Sequence, residues 1–155
     1  MKYENNKIKT VVAVNIAFPA PQILNAMGHA LIGLVAKQGV ESFNLLPYRS
    51  QGYDFNSAIS EYPLIVLQAK SSRELVKLVT RLKDLKISHN IFIDAMIGQN
   101  AQEQKLATHG ASPENSNIMC VALYGEEEMI RPAIKSLSVY RRNSSVEPVV
   151  QDGCN

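Results

Sequence analysis

What this chain lacks narrows its chemistry before anything it contains. It has no tryptophan and only two cysteines, Cys120 inside an apolar run and Cys154 near the end, with no CxxC pair. That pattern argues against a disulfide framework or a cysteine-built zinc site, and it suits a reducing cytoplasm. The three histidines, His29, His89 and His109, share no ligand spacing, and HEXXH is missing, so neither a metal nor a cofactor is expected. A G-x-G-x-x-G turn and a P-loop are also missing, which removes the usual support for dinucleotide or phosphate-cradling readings. Charge of one sign is not in excess: 16 Lys and Arg against 14 Asp and Glu leave a net +2 and no strong field. No apolar stretch reaches spanning length, and the opening MKYENNKIKT is too polar for a signal peptide. A cytoplasmic protein with no membrane partner is the expectation.

The 155 residues are 46% hydrophobic and 19% charged, which fits one globular domain able to bury roughly two-thirds of its unfolded surface. We expect a single α/β domain over residues 1–140 and a flexible tail over 141–155, because RRNSSVEPVVQDGCN lacks helical periodicity. No internal repeat is present.

The stretch PAPQILNAMGHALIGLVAKQG, Pro19 to Gly39, organises the rest. Ile23, Leu24, Met27, Leu31, Leu34 and Val35 recur at helical spacing, while Ala26, Ala30 and Gly33 make a thin face that lets another backbone approach closely. Pro21 suits the first turn and Gly39 the C-terminal stop. Asn25 and His29, four apart, share one side of this helix. They either bond inside the fold or look into a pocket.

Before that helix, IKTVVAVNI at 8–16 reads as a central strand covered on both faces. FNLLPY at 43–48 reads as a short edge strand, since Pro47 cannot donate to a ladder, and 49–61 as a polar surface loop. LIVLQA after Pro63 is the next strand. Ser71 and Glu74 form a capping box for a helix that buries Leu75, Leu78, Val79, Leu82 and Leu85. HNIFID at 89–94 is a strand ending in Asp94, at the carboxyl end where open α/β sheets place ligand groups. Residues 95–116 read as a long connection with a helical turn or two in AQEQKLA. NIMCVALY at 117–124 is the fourth strand. The helix in EEEMIRPAIKSL should start late enough to hold Pro132 in its first turn. The result is a mixed sheet of about four strands with helices on both faces.

Three segments in order, VVAVNIAFPAPQILNAMGHALIG, PLIVLQAKSSRELVKLVTRLKDLKISHNIFIDA and NIMCVALYGEEEMIRPAIKSLSVY, resemble the type II peptidyl-tRNA hydrolase fold, and more closely an uncharacterised bacterial family thought to share it. Ala69-Lys70, Ser71, Asp94-Ala95 and His29-Ala30 carry the likeness. It implies a compact α/β sheet and a homodimer. Two departures stand out. PAPQ replaces the hydrolases' Gly-Lys-Gly-Lys-like entry to the first helix, and Met96, Ile97 and Gly98 replace their Gly-Arg-Thr. Fixed positive charge for a nucleic-acid backbone is thereby lost.

The expected site therefore gathers His29 and Asp94 as a proton-transfer pair with Asn15, Asn25 and Lys70 as ligand-binding groups. No serine or cysteine has a motif that marks it as a nucleophile. A domain binding a small ligand or a partner is the first expectation. The alternative is a hydrolase acting on peptidyl-tRNA or a related ester through His29 and Asp94. A tRNA partner rests on that resemblance and on the Lys70, Arg73, Lys77 and Arg81 face.

Overall fold

The computed structural model describes residues 7–141. The expected tail, apart from Arg141, lies outside them. Its strands are β1 (Ile8–Asn15), β2 (Leu45–Ser50), β3 (Phe55–Ser60), β4 (Leu64–Ala69), β5 (Ser88–Ile93), β6 (Ile118–Glu126) and β7 (Ser138–Val139). Its helices are α1 (Ala20–Gln38), α2 (Ser72–Asp84), α3 (Ala101–His109) and α4 (Glu127–Ile134). Five strands form a mixed sheet in the order β5-β6-β1-β4-β7, and β2 pairs only with β3 in a separate ribbon.

β1 is central for the reason its sequence suggests. Side chains alternate across a strand, so a continuous Val-Val-Ala-Val run needs cover on both faces. Val11 and Ala13 pack with Leu75, Leu78, Leu82 and Ile130 of α2 and α4. Val12 and Val14 pack with Ile23, Ala26, Ala30 and Leu34 of α1. β1 runs parallel to β4, Val12 beside Val66, and antiparallel to β6, Val12 beside Ala122. Between β5 and β6 the register slips: Phe92 faces Cys120 but Ile93 faces Ile118, leaving Met119 as the extra residue of a bulge. Met119 and Cys120, though adjacent, are consequently both buried on the α1 side.

Several expectations need correction. The polar stretch at 49–61 is not a loop: β2 and β3 form a hairpin with Leu45 opposite Ser60 and Ser50 opposite Phe55. The strand begins at Leu45, not Phe43, which is buried in a 3-10 turn over Val40–Phe43. Pro47 is tolerated because the ribbon has free edges. α4 starts at Glu127, so Pro132 lies inside the helix and not in its first turn. Electrostatics fix that early start: the Glu127 N–H donates to the Lys7 carbonyl at 2.6 Å, and its carboxylate pairs with Lys9 and Arg131, each at 2.7 Å. The expected capping box does not form as such. The Ser71 side chain makes no cap bond, while Glu74 reaches back to the Lys70 N–H at 2.9 Å. Leu85, placed on the buried stripe of α2, is exposed beyond the helix end.

Candidate functional site

The thin face of α1 performs the role its residue sizes suggest. Ala26 and Ala30 are fully buried, and at Gly33 an added Cβ would lie 2.2 Å from Asn90 Nδ2. The bare glycine therefore admits the Asn90 side chain of β5, which donates to the Ala30 carbonyl at 3.1 Å. Asn25 and His29 lie on the flank of α1 next to this thin face. Both are exposed and line an open cleft. The His29 ring stacks on Phe92 of β5, with centroids 5.7 Å apart and planes at 21°.

These residues form one wall of an open cleft of about 710 Å³. Its other wall is Met96, Ile97 and Gly98 after β5, then Gln104, Lys105, Thr108 and His109 of α3. α3 is a full helix rather than a turn or two, because Asn100 caps it: its Oδ1 accepts from the N–H groups of Gln102 at 3.1 Å and Glu103 at 3.0 Å. Gln104 Nε2 adds a bond to the Gly98 carbonyl at 3.0 Å. Lys105, Thr108 and His109 were not among the expected site residues. The signal that would have placed them was Asn100 followed three residues later by Glu103, an N-terminal signature.

No carboxylate lines this cleft. Its polar groups are carboxamides, imidazoles, a hydroxyl and one ammonium. Such a lining offers hydrogen-bond donors and positive charge, while Phe92, Met96 and Ile97 give apolar contact.

The remaining expected residues stand elsewhere. Asn15, Lys70 and Asp94 do share one end of the sheet, since they sit at or just beyond the carboxyl ends of β1, β4 and β5. Within that end they are spread apart. β4 and β5 are separated by β6 and β1, which puts Lys70 roughly 14 Å across the sheet from Asp94 at the usual strand spacing. Asn15 is buried and its amide is spent on the fold: Nδ2 donates to the Ile118 carbonyl and Oδ1 accepts from the Ala17 N–H, both at 3.1 Å.

Asp94 does not pair with His29. Its Oδ1 accepts from the Ser116 hydroxyl at 2.5 Å and the Asn117 N–H at 3.0 Å, and Oδ2 accepts from Asn117 Nδ2 at 3.0 Å. Among the described residues the ion pairs are those of Lys9 and Arg131 with Glu127. Partial burial raises the Asp94 pKa, but the bonds from Ser116, Asn117 and the Ala95 N–H outweigh it and leave the carboxyl below its ordinary value. Asp94 thus clamps the segment before β6 to the end of β5, beside the bulge, and stays ionised. Cys120 is core, with its thiol pushed up to about 12 by burial, far from nucleophilic.

Among the described residues, no group of three or more His, Cys, Asp or Glu is placed to hold a metal ion. No helix there is long and apolar enough to cross a membrane.

Comparison with known proteins adds a fold and a family. A solved structure of a protein of unknown function from Agrobacterium tumefaciens strain C58 superposes with a TM-score of 0.73 at 21% identity, covering 88% of this chain and 100% of that one. A comparison with curated proteins gives no match. A family profile described as "Protein of unknown function (DUF2000)" matches residues 8–141, nearly the whole described chain. The chain belongs to the DUF2000 family of proteins of unknown function.

Proposed function

We propose that this protein is a small-ligand-binding domain with a type II peptidyl-tRNA hydrolase-like architecture, and that the cleft between α1 and α3 takes a compact anionic ligand with an apolar portion. The observation that carries this reading is the composition of the cleft. His29, Lys105 and His109 line it with the Asn25 amide, while every Asp and Glu is absent from its walls. Among the described residues, the side chains of Asn25, His29, Lys105, Thr108 and His109 make no hydrogen bond or ion pair, so their donors are open to a ligand. An anion at this site would meet the Lys105 ammonium and hydrogen-bond donors with no carboxylate beside them.

Hydrolysis of peptidyl-tRNA or a related ester is the second reading. It is favoured by the solvent-exposed ring of His29 on the cleft wall. It is weakened by the engagement of Asp94 with Ser116 and Asn117, which leaves the imidazole without a carboxylate to orient it.

Thermal melting with inorganic phosphate, citrate and a nucleoside monophosphate separates the readings. Binding predicts a rise in melting temperature with at least one of these anions, lost in Lys105→Gln and reduced in His29→Ala. No shift with any of them contradicts the anion site. In parallel, peptide release from peptidyl-tRNA at the no-enzyme level is expected. Release that falls about a hundredfold in His29→Ala would establish the hydrolase instead.

A further inference from the structure

The β2–β3 ribbon stands apart from the main sheet with both faces open. Ten of its twelve strand residues are exposed and the other two are half-buried. A two-stranded ribbon alone in water is at best marginally stable. Its side chains are nevertheless sorted. By the strand alternation and the pairing register, Leu46, Tyr48, Phe55 and Ile59 share one face with Ser50 and Ser57, and Leu45, Pro47, Arg49, Asn56, Ala58 and Ser60 share the other, so both strand aromatics stand on the first face. Tyr53 at the tip stacks on Phe55, centroids 6.4 Å apart. Leu46, Tyr48, Tyr53, Phe55 and Ile59 are between 38% and 85% exposed.

The edges are sorted too. The Glu61 N–H donates to the Asn44 carbonyl, so that pair is hydrogen-bonded, and bonded and non-bonded pairs alternate from it along the ribbon. Pro47 opposite Ala58 is then a non-bonded pair, whose backbone groups point outward. Pro47 thereby removes a donor from the outer edge of β2, a usual block against edge pairing. The outer edge of β3 has no such block: Asn56, Ala58 and Ser60 turn their backbone groups to solvent.

We propose that the β3 edge is the homodimer interface, where a second copy of this chain pairs its own β3 antiparallel about a two-fold axis at Ser57. The parity of the outward groups fixes the register. Asn56 bonds Ala58 of the partner subunit, and Phe55 lies across from the partner's Ile59. That places aromatic against β-branched residues on the apolar face, twice, a stabilising cross-strand pair. Phe55–Ser60 contains no charged residue, and the flanking Asp54 falls opposite Ser60, so no like charges meet. This self-complementarity selects a second copy over an unrelated partner. The seam itself is compact: the Asn56–Ala58 main-chain bonds and the two Phe55–Ile59 contacts carry it, while Leu46 and Tyr48 of β2 lie one strand away.

The test is sedimentation of the full chain together with two variants. The unaltered chain is expected to sediment as a dimer at tens of micromolar. Ala58→Pro removes one outward donor, at the position opposite a proline the ribbon already holds. It should weaken the dimer by at least about tenfold, the scale of one or two lost interfacial bonds, without lowering the melting temperature of the monomer. Ser57→Cys in a Cys154→Ser background should form a covalent dimer on mild oxidation, because a non-bonded pair brings Cα atoms to about 4.5 Å, within disulfide reach. Ser50→Cys, on the far strand, should not. A monomer over that concentration range overturns the proposal. So does a dimer that Ser57→Cys fails to trap and Ala58→Pro fails to weaken.

Discussion

Asn90 reaches the main chain of α1 only because residue 33 has no side chain: its Nδ2 bonds the Ala30 carbonyl at 3.1 Å, in space that a Cβ on Gly33 would enter at 2.2 Å. This contact sets how closely α1 lies on β5. It therefore sets the depth of the cleft that Asn25 and His29 face. Alanine at position 33 gains about 1 kcal/mol in helix propensity. Against that stand a lost hydrogen bond of about 1 kcal/mol and overpacking of about 1–3 kcal/mol. Gly33→Ala should therefore destabilise in chemical unfolding. In an Asn90→Ala background, with the obstruction gone, the same change should be neutral or stabilising. Additive effects of the two substitutions would contradict the contact.

Thr10 is buried in β1, and its hydroxyl has no partner among the described residues. An unmatched buried hydroxyl costs about 1–3 kcal/mol, and valine has nearly the same shape. Thr10→Val should raise stability by about 1 kcal/mol in urea unfolding, with an unchanged m-value. A loss of stability would mean that the hydroxyl is bonded.

The Asp94 clamp gives a pH dependence with a definite sign. Its folded pKa is lowered from the ordinary carboxyl value of 3.8, so its contribution is complete above that unfolded value and is lost as pH falls below it through the folded value. Asp94→Asn should therefore destabilise at neutral pH and flatten the acid limb of the stability curve below about pH 4. A variant with an unaltered acid limb would show that the carboxylate is not engaged.

α3 has no buried residue, and its Leu106 is exposed. Elements with few buried contacts open at low free-energy cost. Its amides should exchange with deuterium well before those of α1 and β6. Asn100→Ala, which removes the cap at a cost of about 1 kcal/mol, should speed that exchange severalfold. Protection of α3 equal to that of β6 would contradict this ranking.

The reach of the sequence follows from how local each signal is. β1, β4, β5 and β6 and the thin face of α1 were legible because burial imposes a period on the side chains, Val11 and Val12 to opposite faces and Ala26 and Ala30 to the same one. Of the ribbon, only β2 was partly legible, as the edge strand expected over 43–48; β3 was not, since a strand exposed on both faces carries no buried period and Asn56, Ser57 and Ser60 read as a loop. In the site, the side of α1 shared by Asn25 and His29 was readable from spacing alone. The fate of Asp94 was not: its partners lie 22 and 23 residues ahead, and nothing local at Asp94 points to Ser116 and Asn117. Lys105 and His109 were hidden by treating the segment after Asp94 as a connection, although Asn100 and Glu103 mark a helix start.

The central claim is that the flank of α1 bearing Asn25 and His29 and the facing side of α3 receive one anionic ligand. Amide and imidazole resonances of the isotope-labelled chain, followed by NMR during titration with inorganic phosphate and then a nucleoside monophosphate, test it most directly. The account predicts saturable shifts confined to Asn25, His29, Asn90, Gly98, Lys105 and His109. Shifts that fall instead on the Arg73, Lys77 and Arg81 face of α2, or none at saturating anion, would contradict it.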